Sequence, residues 1–277
     1  MKTKNIVLTA VIGVVVIIAI AAIYMYPSYR FFFHTETVQF DKNLTIITGG
    51  GGNSGILITD SAVIVIDTKM AKNAGILYNL VKEKAGNKPV IVINTHYHMD
   101  HVGGNQFYKG DKIYIGNYTK EFLEKNVKPD EMPTILVKDS LILNMGDETV
   151  MLYDMGQAHT TNDMVVYLKN RKLLFSGDLI FYNINPVLKR GSGANVDKWI
   201  GVLDQLLYKW EINTIIPGHG KSGSKELVIS MKTYFEDMKI AAANPDKQKE
   251  IIAKYKKWRT MPKMASPEYT INYIKGN

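Results

Sequence analysis

Six histidines occur in the 277 residues, and three of them fall in one short segment, Thr95-His96-Tyr97-His98-Met99-Asp100-His101. That segment directly follows Val90-Ile91-Val92-Ile93, a continuous apolar run of the kind that forms a strand buried on both faces. In an extended chain residues i and i+2 point the same way, so His96 and His98 can offer imidazoles to one ion. Asp100 and His101 lie beyond the pair, where the turn allowed by Val102-Gly103-Gly104-Asn105 can aim them at a second ion. His159, in Gly156-Gln157-Ala158-His159-Thr160, and His219, in Pro217-Gly218-His219-Gly220, each sit near the end of an apolar strand-like run, and only His34 stands apart. Asp178, in Phe175-Ser176-Gly177-Asp178, occupies the same kind of position. A carboxylate can bridge two cations; an imidazole cannot. No cysteine is present, which excludes disulfide scaffolds, thiolate zinc sites, iron–sulfur clusters and cysteine nucleophiles. Any metal must therefore be held by nitrogen and oxygen.

The elements that would position these groups follow from the apolar pattern. Short apolar segments at 44–48, 56–59 and 62–66, separated by Gly49-Gly50-Gly51-Gly52 and by Asp60-Ser61, predict consecutive antiparallel strands. Ile76, Leu77, Leu80 and Val81 then recur at helical spacing before the strand at 90–93. The second half repeats that order, with strands at 149–153, 164–168 and 172–175, a helix from Asn195, and a strand at 212–216. A helix follows Ser224, and Asn244-Pro245 has the form of an N-cap with proline at the first helical position. Two halves that each run from strands to helices predict two sheets face to face with helices outside, a four-layer αββα sandwich. The glycine run lacks the Gly-Lys-Ser/Thr and the helix of a phosphate loop, so it is read as a flexible loop at the pocket rim.

His96-Tyr97-His98-Met99-Asp100-His101, together with His159, Asp178 and His219, resembles the metal signature of the metallo-β-lactamase-fold hydrolases. The likeness runs in order from about Val38 to His219 and includes Ile66-Asp67-Thr68 at the end of an early strand. It implies that His96, His98 and His159 hold one metal, that Asp100, His101 and His219 hold the other, and that Asp178 bridges them. Asp67 would orient a ligand or shape the pocket floor. Two divalent ions about 3.5 to 4 Å apart lower the pKa of a shared water towards roughly 7 and polarise a carbonyl, so no protein nucleophile is needed. Asp100 is also the candidate to orient the attacking oxygen. Imidazole and carboxylate ligands suit zinc and are compatible with manganese or iron.

Within that superfamily the resemblance points away from some branches. β-Lactamase branches place cysteine or serine where this chain has Asp178, the two-iron redox branch carries glutamate in place of His98, and the glutathione-binding motifs of glyoxalase II are not recognised here. The chain is more similar to the broad group of hydrolases that includes relatives associated with periplasmic quinoprotein oxidation. The expectation is hydrolysis of an ester, thioester, lactone or amide of a small molecule. The alternatives are a β-lactam hydrolase, a metal-dependent redox enzyme or a metal-binding module without turnover.

Lys2 and Lys4 precede residues 6–24, nineteen residues without a charge. A helix of that length spans roughly 28 Å, close to the thickness of a bilayer core. The expectation is a single-pass N-terminal transmembrane helix over 1–35, with the catalytic body outside the cytoplasm. Ala19-Ile20-Ala21 offers a small-residue cleavage site, so secretion or periplasmic release after signal cleavage is the alternative. Residues 36–243 would form the catalytic domain and 244–277 a basic helical extension packed on it. Of the net charge of +8, most sits at 239–277, where nine Lys/Arg face Asp246, Glu250 and Glu268. A solvated helix face accounts for that charge, and no motif supports nucleic-acid binding.

Overall fold

In the computed structural model, which describes residues 12–23, 26, 33–261 and 264–276, the first half forms seven strands. They are β1 (Thr35–Gln39), β2 (Leu44–Gly49), β3 (Ser54–Ile58), β4 (Val63–Ile66), β5 (Val90–Ile93), β6 (Lys112–Gly116) and β7 (Ile135–Val137). They pair in chain order into one sheet, antiparallel from β1 to β4 and parallel from β4 to β7. A second sheet, in the order β12-β11-β10-β9-β8, is built from β8 (Ser140–Asn144), β9 (Thr149–Gly156), β10 (Asp163–Leu168), β11 (Leu173–Phe181) and β12 (Thr214–His219). Only its β11–β12 pair is parallel.

Alternation along single strands then builds the layers. Every residue of β4 is buried: Ile64 and Ile66 meet Val166, Leu168 and Phe175 of the second sheet, while Val63 and Val65 meet Leu77 and Val81 of helix α1 (Ala71–Ala85). On β10, Met164, Val166 and Leu168 face the space between the sheets. Val165 and Tyr167 face Trp199 and Leu203 on one helix (Val196–Tyr208) and Phe235 on another (Glu226–Ala243). Burying each such side chain is worth about 1.5–3 kcal/mol, and period-2 strands collect that gain on both faces. The result is the four-layer αββα arrangement that the apolar pattern predicts.

Between β5 and β7 lie α2 (Met99–Val102) and α3 (Lys120–Asn126); the helices of the second half are α4 (Val196–Tyr208) and α5 (Glu226–Ala243). The helix expected from Asn195 is α4, and Asn195 caps it by accepting from the Lys198 N–H at 3.0 Å. At Asn244-Pro245 the chain forms a short 3-10 turn instead of an α-helical start. Asn244 makes no side-chain cap, and its N–H closes α5 on Ile240 O. Two further helices, α6 (Gln248–Lys254) and α7 (Pro267–Lys275), pack on α5, where Tyr234 stacks on Trp258 and shares a 2.8 Å hydrogen bond with Thr270.

The fold does not support the transmembrane helix expected from the sequence. Residues 12–23 are helical and exposed, while 6–11 and 24 lie outside the described residues. Among the described residues no helix is long and apolar enough to cross a membrane.

Candidate metal centre

The strand ends carry the titratable groups to one place. The turn after β5 supplies His96 and His98, α2 supplies Asp100 and His101, the β9–β10 loop supplies His159, β11 supplies Asp178, and β12 ends on His219. These seven side chains fall into two sets with ligand atoms within 4.8 Å of one another: His96, His98, His159 and Asp178, and Asp100, His101 and His219. In the first, His98 Nδ1 lies 3.0 Å from both His96 Nε2 and His159 Nε2. Asp178 Oδ2 faces this set, 3.3 Å from His159 Nε2 and 3.8 Å from His96 Nε2. Asp178 Oδ1 faces the other, 3.2 Å from His101 Nε2 and 3.3 Å from His219 Nε2. Asp100 Oδ2 closes that set, 3.3 Å from His219 Nε2 and 3.6 Å from His101 Nε2.

The spacing fits divalent cations. Ligands held tetrahedrally at about 2.0–2.1 Å from a metal stand about 3.3 Å apart, inside the 3.0–3.8 Å range of these contacts. His101 Nε2 and Asp178 Oδ1 are buried and make no well-directed hydrogen bond, as atoms reserved for a cation would.

Electrostatics separates the two sets. Burial, reinforced by neighbouring imidazoles, holds His96 well below its ordinary value and brings His98 to about 3 and His159 to about 4. These rings are neutral, so each has one nitrogen lone pair to offer. Burial also opposes charge on His101 and His219, but Asp67, Asp178 and Asp100 outweigh it at His101, and Asp178 and Asp100 lift His219 to about 9. Burial opposes ionisation of Asp178 too, yet His219 and His101 hold it well below the usual carboxylate range. Cation uptake by the Asp100 set therefore displaces protons.

Surrounding groups aim the ligands. Asp67, at the end of β4 with φ 54°, accepts from the Thr95 N–H and from the Thr95 hydroxyl, both at 2.8 Å. Its Oδ2 also lies 2.8 Å from His101 Nδ1, so the proton stays on Nδ1 and Nε2 is left for metal. Ser192 Oγ lies 3.1 Å from His98 Nε2 and accepts from the Tyr97 hydroxyl, which turns His98 Nδ1 inward. At two glycines a methyl group would collide with the set: a Cβ on Gly218 would fall 2.0 Å from Asp178 Oδ1, and one on Gly52 2.5 Å from the His101 ring.

The loop at 49–52 differs from the flexible rim read from sequence. It does border a cavity, but fully buried Lys69 holds it in place by donating to Ile47 O, Gly49 O and Gly52 O at 2.6–3.0 Å. Burial lowers the Lys69 amine to about 7. Asn53 pins the loop to the β12 end through Pro217 O and Gly220 O, each at 2.8 Å. Sequence reasoning missed Lys69, Asn53 and Ser192; only Lys69 had a local signal, its place directly after Ile66-Asp67-Thr68. Of the polar residues following Asp178, Lys189 lines the cavity beside the metal set, Asn185 is buried against Arg259, and Arg190 lies over the Tyr273 ring.

Two cavities meet at His219 and Ile184. One, of about 260 Å³, holds His98, Asp100, His159 and Asp178 in its lining. The other, of about 560 Å³, is bordered by the glycine loop, His34, Glu36, Thr48, Lys221 and Arg259. His34, outside the metal set by sequence, thus lines its approach.

A sequence model of the metallo-beta-lactamase superfamily matches residues 47–219, and the chain belongs to that superfamily, which places it among metal-dependent hydrolases. It is 28% identical to a type 2 metallo-beta-lactamase of Bacillus cereus over 206 residues, 69% of this chain and 78% of that one. It is 31% identical to the metallo-beta-lactamase IND-1 of Chryseobacterium indologenes over 171 residues, 60% of this chain and 71% of that one. In fold it is similar to a metallo-beta-lactamase from Pontibacter korlensis, with a TM-score of 0.64 at 22% identity, over 73% of this chain and 99% of that one.

Asp67→Asn preserves shape but removes the charged acceptor at His101 Nδ1. Affinity for one of two bound cations should fall about 10- to 100-fold while the other is retained, measured by competition with a chelator. Equal loss at both, or none, would contradict the role given to Asp67.

Proposed function

We propose that the chain is a dinuclear metal-dependent hydrolase of an ester, thioester, lactone or amide bond in a small molecule. His96, His98 and His159 would hold one divalent cation, Asp100, His101 and His219 the other, and Asp178 both. The observation that carries this reading is the orientation of Asp178, whose two oxygens face two separate sets of ligands. Bound there, two cations supply an acidified water and Lewis-acid stabilisation of a carbonyl oxygen; zinc is favoured by the ligand chemistry, with manganese or iron compatible. Asp100, a quarter exposed and bordering the cavity, is placed to orient the attacking O–H. As the new C–O bond forms, the bond to the leaving oxygen, sulfur or nitrogen breaks and that atom takes the proton. Thr95 and Asp67 keep His101 fixed while this occurs, and Ser192 does the same for His98.

Metal-loaded protein should turn over at least one member of a panel of esters, thioesters, lactones and amides. Chelation should abolish that turnover and His98→Ala should lose it by orders of magnitude. Rates indistinguishable between wild type and variant would reject the reading. A second reading, β-lactam hydrolysis, is favoured by the identity to the Bacillus and Chryseobacterium enzymes. A β-lactam turned over faster than every other substrate would select it.

We also infer that residues 6–24 anchor the chain, with the catalytic body outside the cytoplasm. The uncharged run behind Lys2 and Lys4 supports this. On fractionation the full chain should stay in the membrane pellet after a high-salt wash with its N-terminal mass intact. Recovery in the soluble fraction would contradict anchoring, and a shortened N-terminus there would identify signal cleavage.

A further inference from the structure

We propose that the substrate carries an apolar acyl arm several carbons long, and that Met261 and Met264 select it. The inference rests on the hydrolase reading above and names the substrate class for that site. The smaller cavity is lined by metal-set residues together with Met70, Met99, Met261, Met264, Ile184 and Val187, and exposed Lys189 is the one lysine or arginine among the described residues of that lining. A carbonyl brought to Asp178 and His219 therefore shares its cavity with a set of apolar side chains. The larger cavity, beyond His219, is bordered by His34, Glu36, Lys221 and Arg259 and leaves room for the departing group.

Methionine suits this task because its unbranched, polarisable side chain adapts to chains of different shape. Four methionines reach the smaller cavity from three separated stretches of sequence, which no local packing need explains. Two of them are well exposed, Met99 at 56% and Met264 at 43%, at the mouth of a cavity whose base holds titratable groups. Exposed apolar groups gathered at such a mouth mark a binding surface.

The segment carrying Met261 and Met264 is fixed to the catalytic body. The Arg259 N–H donates to Asn183 O at 2.8 Å, and Arg259 O accepts from the Asn185 N–H at 2.9 Å and from its side-chain amide at 3.0 Å. Met261 and buried Ala265 then exchange two backbone hydrogen bonds of 2.8 Å, which tie the Met264 end to Met261. Asn183 and Asn185 follow Asp178 on the same stretch of chain, so the wall and the bridging carboxylate share one support.

The test uses the metal-loaded full chain and 4-nitrophenyl acetate, butyrate and octanoate. Full burial would favour each added methylene by about fourfold. With partly exposed walls, kcat/KM should still rise at least about tenfold from acetate to octanoate. Met264→Asp should lower the octanoate-to-acetate ratio at least about fivefold and Met264→Leu should restore it, with melting temperatures showing that both variants fold. Binding of the free acids, followed by calorimetry with and without metal, gives a second readout: octanoate should bind more tightly than acetate, and Met264→Asp should lose the preference. Metal-dependent turnover with a flat chain-length profile, or an unchanged ratio in Met264→Asp, overturns the acyl assignment and leaves the hydrolase reading standing. No metal-dependent turnover of any ester, thioester, lactone or amide, with no preference for octanoate in binding, overturns both.

Discussion

One buried carboxylate sets the terms for this molecule. Asp178 turns one oxygen to His96 and His159 and the other to His101 and His219, at distances of 3.2–3.8 Å. Collecting seven titratable side chains in a poorly hydrated space is costly unless they are paired or coordinate metal. The opposed pKa directions show how protons alone would settle that cost: neutral rings on one side, protonated rings beside depressed carboxylates on the other. Two cations would resolve it more completely, because every inward lone pair would then face a positive charge.

The layers exist to hold those atoms at fixed separations. The sheets pack through Ile64, Ile66, Val166, Leu168 and Phe175, and each ligand-bearing loop leaves the edge of that rigid contact. Asp67 follows one central strand and Asp178 lies in another, so both carboxylates are tied to the core. Buried Lys69 extends the same support to the glycine loop. Its three carbonyl acceptors hold Gly52 against the His101 ring at a distance that excludes any side chain.

Much of this was legible in the sequence because its signals are local. The apolar runs of β4, β5 and β10 and the helix that starts at Asn195 each depend on residues a few positions apart. The ligand residue types were equally visible, although the route to convergence differs from simple i, i+2 alternation. The chain bends after β5, and His96 presents Nε2 while His98 presents Nδ1. That detail depends on Ser192, 94 residues away from His98 in the chain, and no local pattern announces it. Lys69, Asn53 and the Met261–Met264 wall were hidden for the same reason: each acts through contacts to backbone or cavity that only the closed fold brings near. The flexible-loop reading of residues 49–52 failed because glycine composition signals conformational freedom, while here it serves close approach.

The central claim is that two divalent cations sit astride Asp178. Anomalous scattering from crystals of the zinc-loaded protein addresses it most directly. The account predicts two peaks about 3.5–4 Å apart, one among His96, His98 and His159 beside Asp178 Oδ2, the other among Asp100, His101 and His219 beside Asp178 Oδ1. A single peak under saturating zinc, or peaks that leave Asp178 uncoordinated, would contradict it.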